Sequence, residues 1–232
     1  MGCMRFLSQW QINTDSSQVL RIIGDCYKLH QQILKAFPDR LIDRKADLSL
    51  LYRVEKPSAG NEHIILIQSK LEPNQNDIVA VSFAKRAEVN ELRTKDYLPF
   101  ISSLTEGRNL RFLIHVNPCI KTGTSTKEER LSGSKSNGRR VTIRKQEDLV
   151  NWFEHKSVAY GFLISSLTIG EKISKTGYKQ TNGMTHRITC EGYAISGILR
   201  IKDKALFVRA IENGIGPGKA FGFGLLSIAP VG

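Results

Sequence analysis

The stretch DCYKLHQQILKAFPD, residues 25–39, lies between segments that read as strands, and its reading as a helix decides the fold. Gly24 breaks what precedes it and Asp25 is a good N-cap. Leu29, Ile33, Leu34 and Phe37 then recur at helical spacing, and Pro38 stops the helix at about Phe37. Upstream, MRFLSQWQI (4–12) alternates as a strand does, and SSQVLRII makes a short helical turn. Downstream, LSLLYRVE (48–55) and HIILIQSK (63–70) are strand-like, separated by the turn residues KPSAGN. A weak helix in KDYLPFISSL leads into a further strand, NLRFLIHVNP. The order β-α-β-β-α-β is the ferredoxin-like arrangement.

Between Lys121 and Lys145 the composition shifts to Thr, Ser, Gly and charge, with eight Lys/Arg against two Glu, and reads as a basic linker or mobile loop. Beyond it, EDLVNWFEHKSVAYGF carries apolar residues at helical spacing. FLISSLTI and RITCEGYAISGILRI follow as strands, the second interrupted near Gly192 or Gly197. KALFVRAIEN is a short helix stopped by Gly214, and KAFGFGLLSIAP a glycine-punctuated strand. The expected architecture is α+β, two tandem ferredoxin-like (RRM-like) domains: residues 1–120, a linker over 121–145, and residues 146–232.

Charge is unevenly distributed: residues 1–100 hold 14 Lys/Arg against 12 Asp/Glu, and residues 101–232 hold 20 against 10. A second half so basic favours a polyanionic partner, because Lys and Arg neutralise phosphates and release counterions. No apolar run approaches a membrane span and the N-terminus has no signal core, so a cytoplasmic protein is expected. Cys3, Cys26, Cys119 and Cys190 are widely spaced, without metal-like His/Cys pairs, and read as reduced thiols; neither metal nor cofactor is expected.

GIGPGKAFGFG, residues 214–224, holds five glycines in eleven residues. It fails as a phosphate-binding P-loop because Asn213 and Ala220 stand where Gly and Ser/Thr are needed, and because it follows a helix and enters a strand. Lys219, Phe221, Gly222 and Phe223 fit part of the RNA-recognition octamer; Ala220, Gly224 and Leu226 depart from it. Glycines allow positive φ, close backbone approach and N–H groups turned to a phosphate, but taken alone the loop favours a tight structural turn packing the final strand.

Four blocks, DCYKLHQQILKAFPD, LRFLIHVNPCIK, GRRVTIRKQEDLVNWFEHKSVAYGF and GIGPGKAFGFGLLSIAP, together resemble the CasE family, the repeat-processing endoribonuclease of type I-E CRISPR systems within the RAMP superfamily. Cys26 stands where members commonly carry proline. The resemblance implies tandem ferredoxin-like domains. It also implies a metal-independent ribonuclease that cuts CRISPR precursor RNA at the 3′ base of each repeat stem-loop, stays bound to its product and joins other Cascade subunits. Tyr27 and His30 fall on the family's Tyr-x-x-His positions, and Lys35 on a lysine with a supporting catalytic role in some members.

These groups suit that reaction. RNA carries its own nucleophile, the 2′-OH beside the scissile phosphate, so the protein need only hold geometry and move protons. A histidine titrating near pH 6.5 can take the 2′-OH proton or supply one to the departing 5′ oxygen, leaving 2′,3′-cyclic phosphate and 5′-OH ends. Tyr27, a turn of helix away, can bond a phosphate oxygen, helped by the field of the helix N-terminus. His30 also sits at the rim of the buried stripe, where a structural histidine would sit. His63, His115, His155 and His186 have no comparable partners and read as structural or exposed. Candidates for holding RNA are Lys172, Lys175, Lys179 and Arg187 on a hairpin of the second domain, with Arg139, Arg140, Arg144 and Lys145 after the linker. Gly214, Gly216, Gly218 and Lys219 of the glycine loop complete the set. The alternative is a noncatalytic subunit that only grips the hairpin.

Overall fold

The computed structural model describes residues 5–12, 14–38, 48–55, 63–74, 93–122 and 139–231. Its first four-stranded sheet contains β1 (Phe6–Ile12), β2 (Leu51–Glu55), β3 (His63–Ser69) and β4 (Arg93–Asp96), in the antiparallel order β2-β3-β1-β4. β1 buries Ser8, Trp10 and Ile12 on alternate positions, against Ile65 and Ile67 of β3. The helices α1 (Ser17–Ile23) and α2 (Cys26–Leu34) close this core, and the expected stripe Leu29, Ile33, Leu34 and Phe37 is buried. Regular helix ends at Leu34, three residues earlier than expected.

The second sheet corrects the expected domain division. Strand β5 (Asn109–Val116), assigned above to the first domain, pairs with β9 (Met184–Ile201) and β10 (Leu226–Pro230), and the sheet order is β10-β5-β9-β8, with β8 spanning Phe162–Thr181. The edge position of the first sheet belongs instead to β4, whose sequence RTKD offers no apolar alternation to read. The weak helix becomes α3 (Leu98–Ser102), between the sheets in sequence; residues 75–92, before β4, lie outside the described residues. The boundary at residue 120 therefore cuts through a domain, which begins at β5.

The segment 121–145 is likewise no linker between domains but an insertion within the second. Its ends form a two-stranded ladder, β6 (Cys119–Thr122) against β7 (Arg139–Thr142); the stretch between lies outside the described residues. Then come α4 (Gln146–Ala159), β8, β9 and α5 (Lys204–Asn213), so β5-α4-β8-β9-α5-β10 completes a second ferredoxin-like unit. A chain of rings fills its core: Phe112–Phe153, Phe153–Phe162 and Phe162–Phe207 have centroids 5.8, 6.3 and 5.7 Å apart.

Strands β8 and β9 are longer than the apolar patterning indicated, 20 and 18 residues, because their outer halves are polar and exposed. Asn182 and Gly183, with φ of 51° and 76°, turn the hairpin as a two-residue Asn-Gly turn does. The β8–β9 register shifts twice, between Ile164 and Ser166 and between Ile169 and Lys172. Neither Gly192 nor Gly197 interrupts β9; each lets a neighbouring strand approach, a Cβ on Gly192 falling 2.1 Å from the Val116 carbonyl oxygen.

Polar groups stitch the domains together. Arg53 of β2, 2% exposed, donates from Nε to Glu55 (2.9 Å) and from a terminal nitrogen to the carbonyls of Leu113 (3.3 Å) and Leu225 (3.5 Å) across the junction. Gln68 donates to the Ile211 carbonyl at 2.6 Å, and Arg5 pairs with Glu212. Among the described residues no helix is long and apolar enough to cross a membrane.

The Gly192 contact is testable in thermal or denaturant unfolding. Gly192→Ala drives a methyl into backbone and is expected to cost about 1–3 kcal/mol. Gly170→Ala, whose added carbon meets Ala194 at an ordinary 3.4 Å, stays within about 0.5 kcal/mol of wild type.

Candidate active site

Helix α2 is capped from two directions. The Asp25 side chain, 6% exposed, accepts hydrogen bonds through one oxygen from the amides of Tyr27 (3.0 Å) and Lys28 (3.1 Å). The same oxygen accepts the amide of Tyr178 (3.3 Å), on β8. The first two satisfy N-terminal amides that the helix leaves without partners; the third ties the β8–β9 hairpin to the helix. Gly177 makes this approach possible, since a Cβ there would sit 2.8 Å from the Tyr27 nitrogen and 2.9 Å from both Asp25 Oδ1 and Cys26 Sγ.

Tyr27 and His30, both half-buried, occupy this anchored helix three residues apart. The His30 ring stacks on Tyr52 of β2, centroids 6.2 Å apart and planes 16° from parallel. Tyr52 is 1% exposed and its hydroxyl donates to the Ala220 carbonyl at 3.0 Å. Burial, and then the Cys26 and Cys190 thiols, push the phenol well above its ordinary range, so it remains a donor. Lys35 is exposed at the helix C-cap, about 140° around the axis from His30, and helical geometry does not bring the two together.

Ala220 belongs to the glycine loop, where Gly214, Gly216, Gly218, Gly222 and Gly224 all have φ between 70° and 88°. The amides of Gly214, Ile215, Phe221, Gly222, Phe223 and Gly224 donate to carbonyls of the fold, Gly224 to His115 at 2.7 Å. These amides hold the tight structural turn that the loop's own sequence favours, and Gly214, among the glycines named above for RNA, gives its amide to the Ala210 carbonyl. One 3-10 turn, Lys219–Phe221, faces α2 and β2. Gly222 is required there, since a Cβ would meet the Tyr52 ring at 2.9 Å and Lys175 Nζ at 2.6 Å.

Lys175 joins the loop to the hairpin. Its ammonium donates to the Gly222 carbonyl at 3.0 Å and lies 4.7 Å from the Phe223 ring centroid. It lines a cavity of about 430 Å³ at the domain junction with Tyr52, His63, His115 and Cys26. Burial pulls Lys175 down to about 8, and burial, with the charges of Arg53 and Lys175, pulls His115 down to about 3, leaving that imidazole neutral. Cys26 is pushed up to about 11, chiefly by burial, so its thiol stays protonated.

The expected basic cluster is divided by strand parity. Lys175 and Lys179 share the hairpin face with Gly177, toward α2, whereas Lys172 and Arg187, which pairs with Tyr178, take the other face. Lys172 and Arg144 converge on Glu191, at 3.0 and 3.2 Å, and the Lys172 hydrogen bond leads in holding that carboxyl below its usual range. Arg140 and Lys145 are exposed beside α4; Arg139 holds a place in the β7 ladder opposite Thr122. Sequence reasoning missed Tyr52, which carries no signal beyond lying in an apolar strand. The Asn-Gly pair at 182–183 was an available signal for the full length of the hairpin.

Lys175 makes a pH test possible. Its folded-state value lies below its unfolded value, so between about pH 8 and 10 the folded chain holds fewer protons and stability rises with pH on its account. In denaturant titrations from pH 7 to 10, wild type should gain stability relative to Lys175→Met; parallel pH profiles would show that Lys175 titrates normally.

The model of the family described as "CRISPR associated protein" matches residues 5–230. The chain is 25% identical over 236 residues to the CRISPR-associated endoribonuclease Cse3 of Thermus thermophilus, covering 97% of this chain and 100% of that protein. It is 27% identical over 207 residues to the CRISPR system Cascade subunit CasE of Escherichia coli, covering 89% and 93%. Among solved structures, Cse3 bound to a 19-nucleotide RNA superposes with a TM-score of 0.78 at 23% identity, covering 98% of this chain and all of that one, which establishes the shared fold. With a match running from the first strand to the last, the chain belongs to the CRISPR-associated protein family.

Proposed function

We propose that this protein is a metal-independent endoribonuclease that cuts CRISPR precursor RNA at the 3′ base of its repeat stem-loops. The 2′-OH attacks the scissile phosphate and the products carry 2′,3′-cyclic phosphate and 5′-OH ends. His30 moves the proton and Tyr27, near the capped helix N-terminus, bonds the phosphate. The observation that carries this reading is the junction at Asp25, which holds the His30 helix against a basic hairpin strand through one carboxylate. The names of the relatives, an endoribonuclease and a Cascade subunit, support the same chemistry. Lys175 and Lys179 face the helix side of the hairpin and bind the stem phosphates next to the cut; Lys172, Arg187, Arg144, Lys145, Arg139 and Arg140 provide a wider basic field. The enzyme keeps the matured stem-loop and enters a cytoplasmic surveillance complex with other Cascade subunits. Lys35, remote from His30 on the helix, acts on the RNA rather than on the imidazole.

The test incubates the protein with repeat RNA in EDTA. Wild type should cut unmodified RNA and leave RNA with a 2′-deoxy sugar before the cut intact. His30→Ala should slow cleavage about 10²–10⁴-fold while binding the hairpin normally. Full activity in His30→Ala moves the active site elsewhere; binding with no cleavage by wild type makes the protein a grip rather than a nuclease.

Phosphate contacts have a separate signature in ionic strength. The logarithm of the hairpin association constant should fall linearly with the logarithm of salt concentration, by about 0.7–0.9 per phosphate neutralised, and Lys179→Ala should flatten that slope. A response independent of salt would remove the basic hairpin from the interface.

A further inference from the structure

A groove of about 530 Å³ runs between the insertion, α4 and the glycine loop, lined by Arg140, Trp152, Lys156, Tyr160, Pro217 and Lys219 among others, with no carboxylate among the described residues that line it. The Lys156 ammonium lies 5.9 Å from the Trp152 ring centroid. Gly216, with φ of 82°, brings the loop backbone against the indole edge, where a Cβ would be 3.2 Å from Trp152 Cη2. At Arg140 and Trp152 the groove opens into a wider one beside β7, about 870 Å³, which adds Arg144, Lys145 and His155 and one acid, Asp148. Lys219, at the other end of its lining, opens the turn Lys219–Phe221, whose Ala220 carbonyl accepts the hydroxyl of Tyr52, the ring on which His30 stacks.

Cations set beside partly exposed aromatic rings, with no acid among the described lining residues, suit an unpaired polynucleotide, since its phosphates seek the charges and its bases the rings. A duplex keeps its bases stacked inside and offers no face to an indole. We propose that this groove binds the single-stranded RNA adjoining the repeat hairpin, with a base against Trp152 and phosphates at Arg140, Lys156 and Lys219. The identity of the RNA rests on the endoribonuclease reading above; the preference for an unpaired strand rests on the groove alone. A repeat with its flank is then bound more tightly than the stem by itself.

The test reads binding without cleavage. Repeat hairpins carrying a 2′-deoxy sugar at the cut are prepared bare, with a four-nucleotide 5′ extension, and with a four-nucleotide 3′ extension. The chain has two tryptophans, and Trp10 is 1% exposed, so fluorescence quenching reports chiefly on Trp152. One extended hairpin should bind about 10-fold more tightly than the bare one and quench strongly, as a base stacking on an aromatic ring does. Lys156→Glu and Trp152→Leu should each abolish that gain and leave bare-hairpin affinity within twofold. Equal affinity for all three RNAs, or a gain that survives both substitutions, overturns the proposal. So does a result in which both variants bind extended RNA as wild type yet fail to enter the multi-subunit complex, which would assign the groove to a protein partner. Failure of the endoribonuclease reading is seen separately, as unmodified RNA left whole by wild type.

Discussion

One carboxylate organises the centre of this protein. Asp25 caps α2 through the amides of Tyr27 and Lys28 and also receives the amide of Tyr178, about 150 residues further along the chain. A buried carboxylate is satisfied by accepting several N–H bonds, and any of those amides left without a partner is expensive. The helix start, the position of Tyr27 and the path of the hairpin over the first domain are thereby one structural unit. Gly177 is its steric counterpart, because any side chain there would collide with the atoms Asp25 holds.

A second chain of contacts fixes the side of the helix that carries His30. His30 stacks on Tyr52, the Tyr52 hydroxyl bonds the Ala220 carbonyl, and the same turn presents the Gly222 carbonyl to Lys175. Each link crosses between elements distant in sequence, and each is partly buried, where a hydrogen bond is stronger and a lost partner more costly than in water. The glycine loop acts here as a compact spacer: its positive φ angles let it turn within few atoms, and most of its amides are spent on holding that shape. The imidazole is thus positioned by both domains, with the helix from the first and the loop and hairpin from the second. Arg53, buried and shared among Glu55, Leu113 and Leu225, holds the two in register.

The charge asymmetry of the sequence acquires a geometry in the fold. Among the described residues, most of the basic residues of the second half belong to the hairpin strands and the ends of the insertion, and Glu191 gathers Arg144 and Lys172 into one patch. Strand parity then separates Lys175 and Lys179 from Lys172 and Arg187, so a set that is one cluster in sequence faces two ways in space.

Local signals determined much of this protein. Asp25 as a cap, the stripe from Leu29 to Phe37, the two helices of the second domain and the turn at Gly214 are visible because capping, helical periodicity and glycine stops act over a few residues. The order of elements also sufficed for the ferredoxin-like class, and Tyr27 and His30 stood out once four blocks of sequence were read together. Tertiary structure alone decided which sheet owns residues 109–116, because a buried strand reads the same whichever partner it pairs with. It alone supplied β4, whose four polar residues carry no alternation, and the outer half of the hairpin, which has no apolar face. Tyr52 belongs with these: nothing within a few residues distinguishes an ordinary core tyrosine from one that carries the His30 ring, since the difference lies in what the fold places against it.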